Sequence, residues 1–277
     1  MTTTAVPVAP EASDRGLPPG GVFTAAVRSE WTKLRTVRST VWSLLATFGI
    51  TVGLGVLLSF AIVSRWDHLD PIERLQFDPV ARSLSGIFLA QLAIGVLGVL
   101  LIGSEYTTGA IRTTFAAIPN RRLAIVAKAT VLGSVSFVVA AVSTATAFGI
   151  SQIVFQQKHV GVSIGDPSVL RAVLGGTLYL TVVALMGFAI ATIVRRTPGA
   201  IAGLFAIILV LPILVRALPS PWDNNVAKFL PASAGEALFS IRSAPDILTP
   251  ANALIVLAVW LGVLSAVALV VIARRDT

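Results

Sequence analysis

Six stretches of this chain, 19 to 27 residues long, contain no Asp, Glu, Lys, Arg or His. They are Val41–Val63, Ser83–Ile102, Ala129–Phe155, Val173–Val194, Thr197–Val215 and Ala251–Ala273. A helix of about 20 mostly apolar residues crosses the roughly 30 Å of hydrocarbon in a bilayer. Each run is continuous, whereas the strands of a membrane barrel alternate over about ten residues. The sequence therefore predicts an all-α membrane protein with six transmembrane helices. The third run would be about 40 Å long at 1.5 Å per residue and is expected to tilt or protrude. Charged residues make up 12% of the chain, about half the share of an ordinary soluble domain. That deficit excludes a soluble reading, although 277 residues would otherwise suit one or two soluble domains.

Residues 1–21 carry Pro7, Pro10, Pro18, Pro19, Gly16, Gly20 and Gly21 with no apolar core. They read as a disordered cytoplasmic tail rather than a cleaved leader, and 22–277 as a single transmembrane domain. Topology follows from where Lys and Arg fall between the spans. The side holding both ends collects thirteen bases and five acids, and the opposite side eight of each. The whole formal charge of +8 thus lies on one face, which places both termini in the cytoplasm. Lipid headgroups and the positive-inside rule account for the high isoelectric point, so no nucleic-acid partner is implied.

Three non-spanning segments carry information. In Phe23–Thr40, Val27, Trp31, Leu34 and the aliphatic stem of Arg38 fall at i, i+4, i+7 and i+11, one helical face. Arg28, Lys33 and Arg35 lie off that line. This is the pattern of a helix lying in the membrane interface, with its basic residues meeting anionic lipid; the plainer alternative is a basic flank that only sets topology. In Gly103–Lys128, Thr107 or Thr108 is expected to cap a short helix beginning near Gly109. Ile111, Phe115 and Ile118 would share one face of it, and Pro119 would end it. Such a helix, with no partner in its own chain, would expose an apolar knob to cytoplasm for something to dock on. Glu105 is near enough to pair with Arg112, Arg121 or Lys128, but spacing alone favours a solvated acid in a basic loop. The third segment, Arg216–Pro250, holds five prolines and two apolar patches, Val226–Leu230 and Ala234–Ile241. It reads either as short re-entrant or interfacial helices on the outer side or as a structured loop.

No ionisable residue lies inside a predicted span, and ion-coupled carriers normally need one there. His68 and His159 fall in outer loops away from any carboxylate cluster, so no metal site is expected. There is no cysteine, no GxSxG, and no GxxxxGK[ST], so the chain cannot bind ATP in the P-loop manner. Gly49xxxGly53 and Gly199xxxGly203 read as helix-packing positions.

The cytoplasmic link resembles the signature region of permease subunits of type-2 ABC transporters. In those permeases a glutamate leaves the second span, a glycine and small or aliphatic residues follow, then a proline, a basic residue and a lysine entering the third span. Here these are Glu105, Gly109-Ala110-Ile111, Pro119, Arg121 and Lys128, with Ala110 where many members have threonine. The segment Arg28–Arg35 is similar to the start of actinobacterial members, and the long outer segment before the last span matches the family layout. The resemblance implies a permease of an ATP-driven exporter in the bacterial plasma membrane. Residues around Val27, Arg28, Trp31, Lys33, Leu34 and Arg35 would form the interfacial helix. Glu105, Gly109, Ile111, Arg112, Phe115, Ile118, Pro119 and Arg121 would couple the chain to a separate ABC ATP-binding subunit. That subunit would bind ATP and Mg, leaving this chain without cofactor or catalysis. A second permease chain would complete the unit, a homodimer in the simplest case. A non-transporting membrane anchor or sensor subunit is the alternative. The substrate is undetermined: apolar spans suit a lipophilic cargo, yet hydroxyls such as Thr144, Thr146, Thr177 and Thr181 could line a pathway.

Overall fold

The computed structural model describes residues 19–117, 120–219, 222–242 and 247–274. The remaining residues, among them 1–18 of the expected tail, Ile118 and Pro119, lie outside the described ones. Among the described residues all regular structure is helical, without strand. In order the helices are α1 (Pro19–Thr36), α2 (Arg38–Arg65), α3 (Pro71–Leu75), α4 (Pro79–Ser83), α5 (Ile87–Thr108), α6 (Ala110–Ala117) and α7 (Arg121–Gln156). They are followed by α8 (Pro167–Val194), α9 (Thr197–Phe205), α10 (Leu211–Arg216), α11 (Trp222–Ala227), α12 (Pro231–Phe239) and α13 (Pro250–Arg274). Six helical segments are long and apolar enough to cross a membrane: Arg38–His68, Ile87–Thr108, Arg121–Gln156, Pro167–Val194, Thr197–Arg216 and Pro250–Arg274. They correspond one for one to the six charge-free runs.

The boundaries differ where local chemistry overrides hydropathy. The second span starts at Ile87, because Asp78 caps a separate short helix: its Oδ1 accepts from Val80 N and Ala81 N, both at 2.9 Å. Ser83, expected to open that span, ends α4 instead. At its other end the span runs on through Glu105 to Thr108. The third span begins at Arg121, where the Asn120 side chain accepts from Leu123 N. Its 36 residues would reach about 54 Å, so it projects well past the hydrocarbon and carries Lys128 inside the helix. The fifth span is not one continuous α-helix. A π-helical turn, Ala206–Val210, separates α9 from α10, just before Pro212, which lacks an N–H donor and disturbs the preceding turn.

α8 forms the centre of the bundle, flanked by α5, α7, α9, α12 and α13. Its contact with α5 is a backbone contact. A Cβ at Gly98 would lie 1.9 Å from the Ala184 carbonyl oxygen, and one at Gly187 would lie 2.3 Å from that of Gly95. Lipid supplies no hydrophobic drive between helices, so such close approach of small residues is what holds spans together. The glycine pair expected to pack, Gly49 and Gly53, faces open space instead; α2 turns its other stripe inward, with Thr47, Thr51, Gly55 and Ser59 all buried. Gly199 and Gly203 sit against Val194 and Ile190 of α8. Several interior polar groups pair across helices: Thr144 with Thr177 at 2.8 Å, Gln152 Nε2 donating to Ser83 Oγ at 3.1 Å, and the Tyr179 hydroxyl donating to Gln91. Thr144, Thr177 and Thr181 are buried inside the bundle, so they pack helices rather than line an open path.

On the face away from α1, α12 folds back against α8. Its Gly235 lies against the Tyr179 ring and its Leu238 carbonyl against Gly175, positions 8 and 12 residues beyond Pro167, or about 12–18 Å along α8. The α12 part of the segment before the last span thus packs against the side of α8. The segment's second apolar patch forms α12, while the first ends as a turn over Lys228–Phe229.

Candidate functional site

The chemistry of this chain concentrates where α1, α5 and α7 meet on the face that carries both ends of the described chain. Lys128 lies on the inward stripe of α7 with Ala124, Val131 and Leu132, and its side chain is wholly buried. A lone buried ammonium is strongly disfavoured. Two carboxylates answer it: Glu30 Oε2 of α1 at 2.7 Å and Glu105 Oε1 of α5 at 2.5 Å. Lys33 closes the ring, 2.9 Å from Glu30 Oε1 and 3.4 Å from Glu105 Oε1. Two acids and two lysines leave the cluster neutral. The Glu30 and Glu105 side chains are only 6% and 13% exposed, so Glu105 is not the solvated acid that spacing favoured. Among the sequence candidates its partner is Lys128. Glu105 Oε2 is buried with no hydrogen bond among the described residues. Lys33 is the half-exposed member. Partial burial pulls its pKa down, but the hydrogen bond and charge of Glu30, together with Glu105, outweigh that and raise it above the usual 10.5.

This cluster sets which face of α1 meets the bundle. The buried face is Ala26, Glu30 and Leu34, at i, i+4 and i+8, with Val27 half-buried at its edge. Trp31 is 44% exposed and lies under the Arg35 guanidinium, 5.8 Å from its ring centroid. Arg28 and Arg35 point outward, whereas Lys33 faces the acids. The signal was present in the sequence: Glu30 stands on a face otherwise made of Phe23, Ala26 and Leu34, and Lys128 on a stripe otherwise apolar.

The link after α5 also departs from expectation. Gly109 takes φ +75°, the left-handed conformation that glycine adopts freely at a helix end, and turns the chain into α6. Thr107 and Thr108 do not cap that helix. They end α5, their hydroxyls donating back to the Gly103 and Ser104 carbonyls. Ile111 and Phe115 are 3% and 8% exposed and join the main core, and Arg121 covers Phe115, its guanidinium 5.7 Å from the ring centroid. Ile111 and Phe115 thus pack within their own chain, while Ile118, the third residue of the expected knob, lies outside the described residues. What projects is Arg112, Thr113 and Ala116.

A second tie had no sequence signal beyond a positive count. Arg195, at φ 59° in the link between α8 and α9, lies 5.6 Å from the Tyr106 ring centroid of α5 and donates to the Val271 carbonyl of α13 at 3.4 Å. Thr107 and Thr197 hydroxyls meet at 3.4 Å nearby. All these contacts gather the ends of α5, α7, α9 and α13 under α1 and α6. The arrangement ties three helices together through charge, with two residues of one sign paired to two of the other.

Comparison with known proteins gives one informative result. Residues 26–215 match the family described as ABC-2 family transporter protein, a stretch that starts within α1 and ends in α10. No curated protein matches the chain.

Proposed function

The chain belongs to the ABC-2 transporter family, and from that premise we propose that it is the permease of an ATP-driven exporter, powered by a separate ATP-binding subunit. A transport permease is a membrane component and not itself a catalyst. The observation that carries the proposal is the Glu30–Lys128–Glu105 bridge. It joins the interfacial helix α1 to two spanning helices at the face where a cytoplasmic partner would bind. A push on α1 or α6 would then move α5 and α7 as one body rather than bend a loop, as alternating access by rocking requires. The excess of bases on that face supports cytoplasmic termini.

Docking of the partner would use the outer face of α6, Arg112, Thr113 and Ala116, since Ile111 and Phe115 are already packed. Two copies of the chain would enclose the route. Thr144, Thr177, Gln91 and Tyr179 inside a single bundle are paired with one another, whereas the flank between α2, α5 and α9 carries an open, mostly apolar groove of about 360 Å³ lined by Trp42, Ala46, Leu92, Val96 and Phe205. ATP and Mg would be held by the partner.

The test is reconstitution with a candidate phosphate-loop ABC ATPase from the same genome. Wild type should co-purify with that subunit and move cargo only with ATP. Arg112→Glu should insert and fold normally yet lose ATPase association at least tenfold. Phe115→Asp should instead lower stability, because it buries a charge in the core. Co-purification unchanged by Arg112→Glu would refute the docking face, and transport driven by an ion gradient without ATP would refute the exporter.

A further inference from the structure

On the face away from α1, the turn at Lys228–Phe229 is pinned to the last span. The Trp260 indole nitrogen donates to the Phe229 carbonyl at 3.0 Å. Between this turn and the first two turns of α13 lies a groove of about 350 Å³, lined by Lys228, Phe229, Leu248, Asn252, Ile255 and Val256. Its walls are of two kinds. Ile255, 61% exposed, lies on α13, a helix apolar enough to span, and Phe229, 51% exposed, lies on the turn beside it, so the groove opens sideways to acyl chains. Its upper end holds Lys228, whose ammonium lies 5.5 Å from the Phe229 ring centroid, and Asn252 in the first turn of α13. Among the described residues no carboxylate lies within ion-pair distance of Lys228, and no hydrogen bond engages the Asn252 side chain. By contrast Lys158, on the same face, is paired with Asp67. Nor does the positive-inside rule explain Lys228, because this face has as many acids as bases.

We propose that this groove is a binding site for an anionic phospholipid, its phosphate on Lys228 with Asn252 beside it and one acyl chain along Ile255 and Val256. From Asn252 to Trp260 the helix descends about 12 Å, so a chain bound there passes from headgroup level down to the indole. The hydrogen bond from Trp260 fixes the turn and makes the groove preformed. A neutral lipid would fill the apolar part equally well but leave the ammonium without a counter-charge, so the selectivity rests on the headgroup.

The indole supplies a local probe. The full chain, with its other four tryptophans replaced by phenylalanine, is reconstituted in nanodiscs of phosphatidylcholine containing either phosphatidylglycerol or phosphatidylcholine brominated on the acyl chains. Quenching of Trp260 should require about fivefold less brominated phosphatidylglycerol than brominated phosphatidylcholine, the factor one basic side chain supplies near an anionic surface. Lys228→Gln should erase the difference, Lys228→Arg should keep it, and Lys158→Gln should leave it unchanged. Equal quenching by the two lipids in wild type, or a preference that survives Lys228→Gln, overturns the proposal. So does displacement of the preference by inorganic phosphate, which would mark a simple anion site.

Discussion

Replacing Lys128 with methionine keeps the length and apolar stem of the side chain and removes only the ammonium. Glu30 and Glu105 then face each other in a pocket where their side chains are 6% and 13% exposed, with the half-exposed Lys33 as the one remaining base. The cluster goes from neutral to a net charge of −1. Removing one partner from a buried ion pair typically costs about 3–5 kcal/mol, because the other charge is left desolvated. For a chain of this size each kcal/mol lowers the unfolding midpoint by about 2–4 °C, so Lys128→Met should lower it by roughly 6–20 °C. The assay is thermal unfolding in detergent, followed by tryptophan fluorescence and by loss of the monodisperse peak in size exclusion. The companion variant, Lys128→Met with Glu105→Gln, restores neutrality while keeping the Glu30–Lys33 pair, and should recover more than half of the loss. A single variant as stable as wild type would refute the reasoning. So would a double variant no better than the single, since the damage would then come from packing and not from charge.

Three further outcomes follow from named contacts. Asp78→Ala removes an acceptor of five hydrogen bonds, from Val80 N, Ala81 N, Ser240 Oγ, Ile241 N and Arg242 N; loss of the cap alone costs about 1 kcal/mol, and hydrogen exchange should rise in α4 and at 238–242 while the α1 face is unchanged. Gly98→Ala forces a Cβ to 1.9 Å from the Ala184 carbonyl and should cost about 1–3 kcal/mol, whereas Gly49→Ala meets nothing within 4 Å and should be neutral or slightly stabilising in the isolated chain, both read from unfolding midpoints. The raised pKa of Lys33 means its contribution to holding α1 is fully present below the unfolded value of about 10.5 and is lost as pH rises through the higher folded value; cysteine accessibility at Ala26 should therefore increase only above that pH, and Lys33→Met should remove this step.

The spanning architecture was legible because hydropathy is a sum over 20 residues and tolerates local error. Its punctuation was not, because single side chains decide it. Asp78 detaches α4 from the second span through two amide bonds, and Asn120 starts the third span eight residues before its first charge-free residue. The candidate site was half legible. Glu105, Lys128, Glu30 and Lys33 all stand in plain view in the sequence, and two of them interrupt otherwise apolar helical faces. Which acid meets which base depends on how three helices converge, and no spacing rule within one helix contains that. The same limit explains α6. The periodicity of Ile111 and Phe115 correctly gives an amphipathic helix but is silent on whether its apolar face meets a partner or its own bundle.

These contacts also constrain how such a bundle can move. α5 and α8 touch through backbone at Gly98 and Gly187, leaving no side-chain layer that could slide. α5 and α7 are joined at one end by Lys128, and α7 and α8 at mid-span by Thr144 and Thr177. Parting α5, α7 and α8 would expose an ammonium, two carboxylates and two hydroxyls to an apolar medium, each at a cost of several kcal/mol for the charges. Among the described residues no side-chain hydrogen bond or ion pair joins α2, α9–α10 and α13 to one another, and the π-turn before Pro212 interrupts the regular hydrogen-bond ladder of the fifth span. Motion that opens a path should therefore leave α5, α7 and α8 as a rigid core and appear at the α2 and α9–α10 flank. Spin labels placed at Leu89 and Val138 should keep one narrow distance distribution across the transport cycle, while a label pair at Leu45 and Ile213 should change. A broadened Leu89–Val138 distribution would show that the core is not rigid.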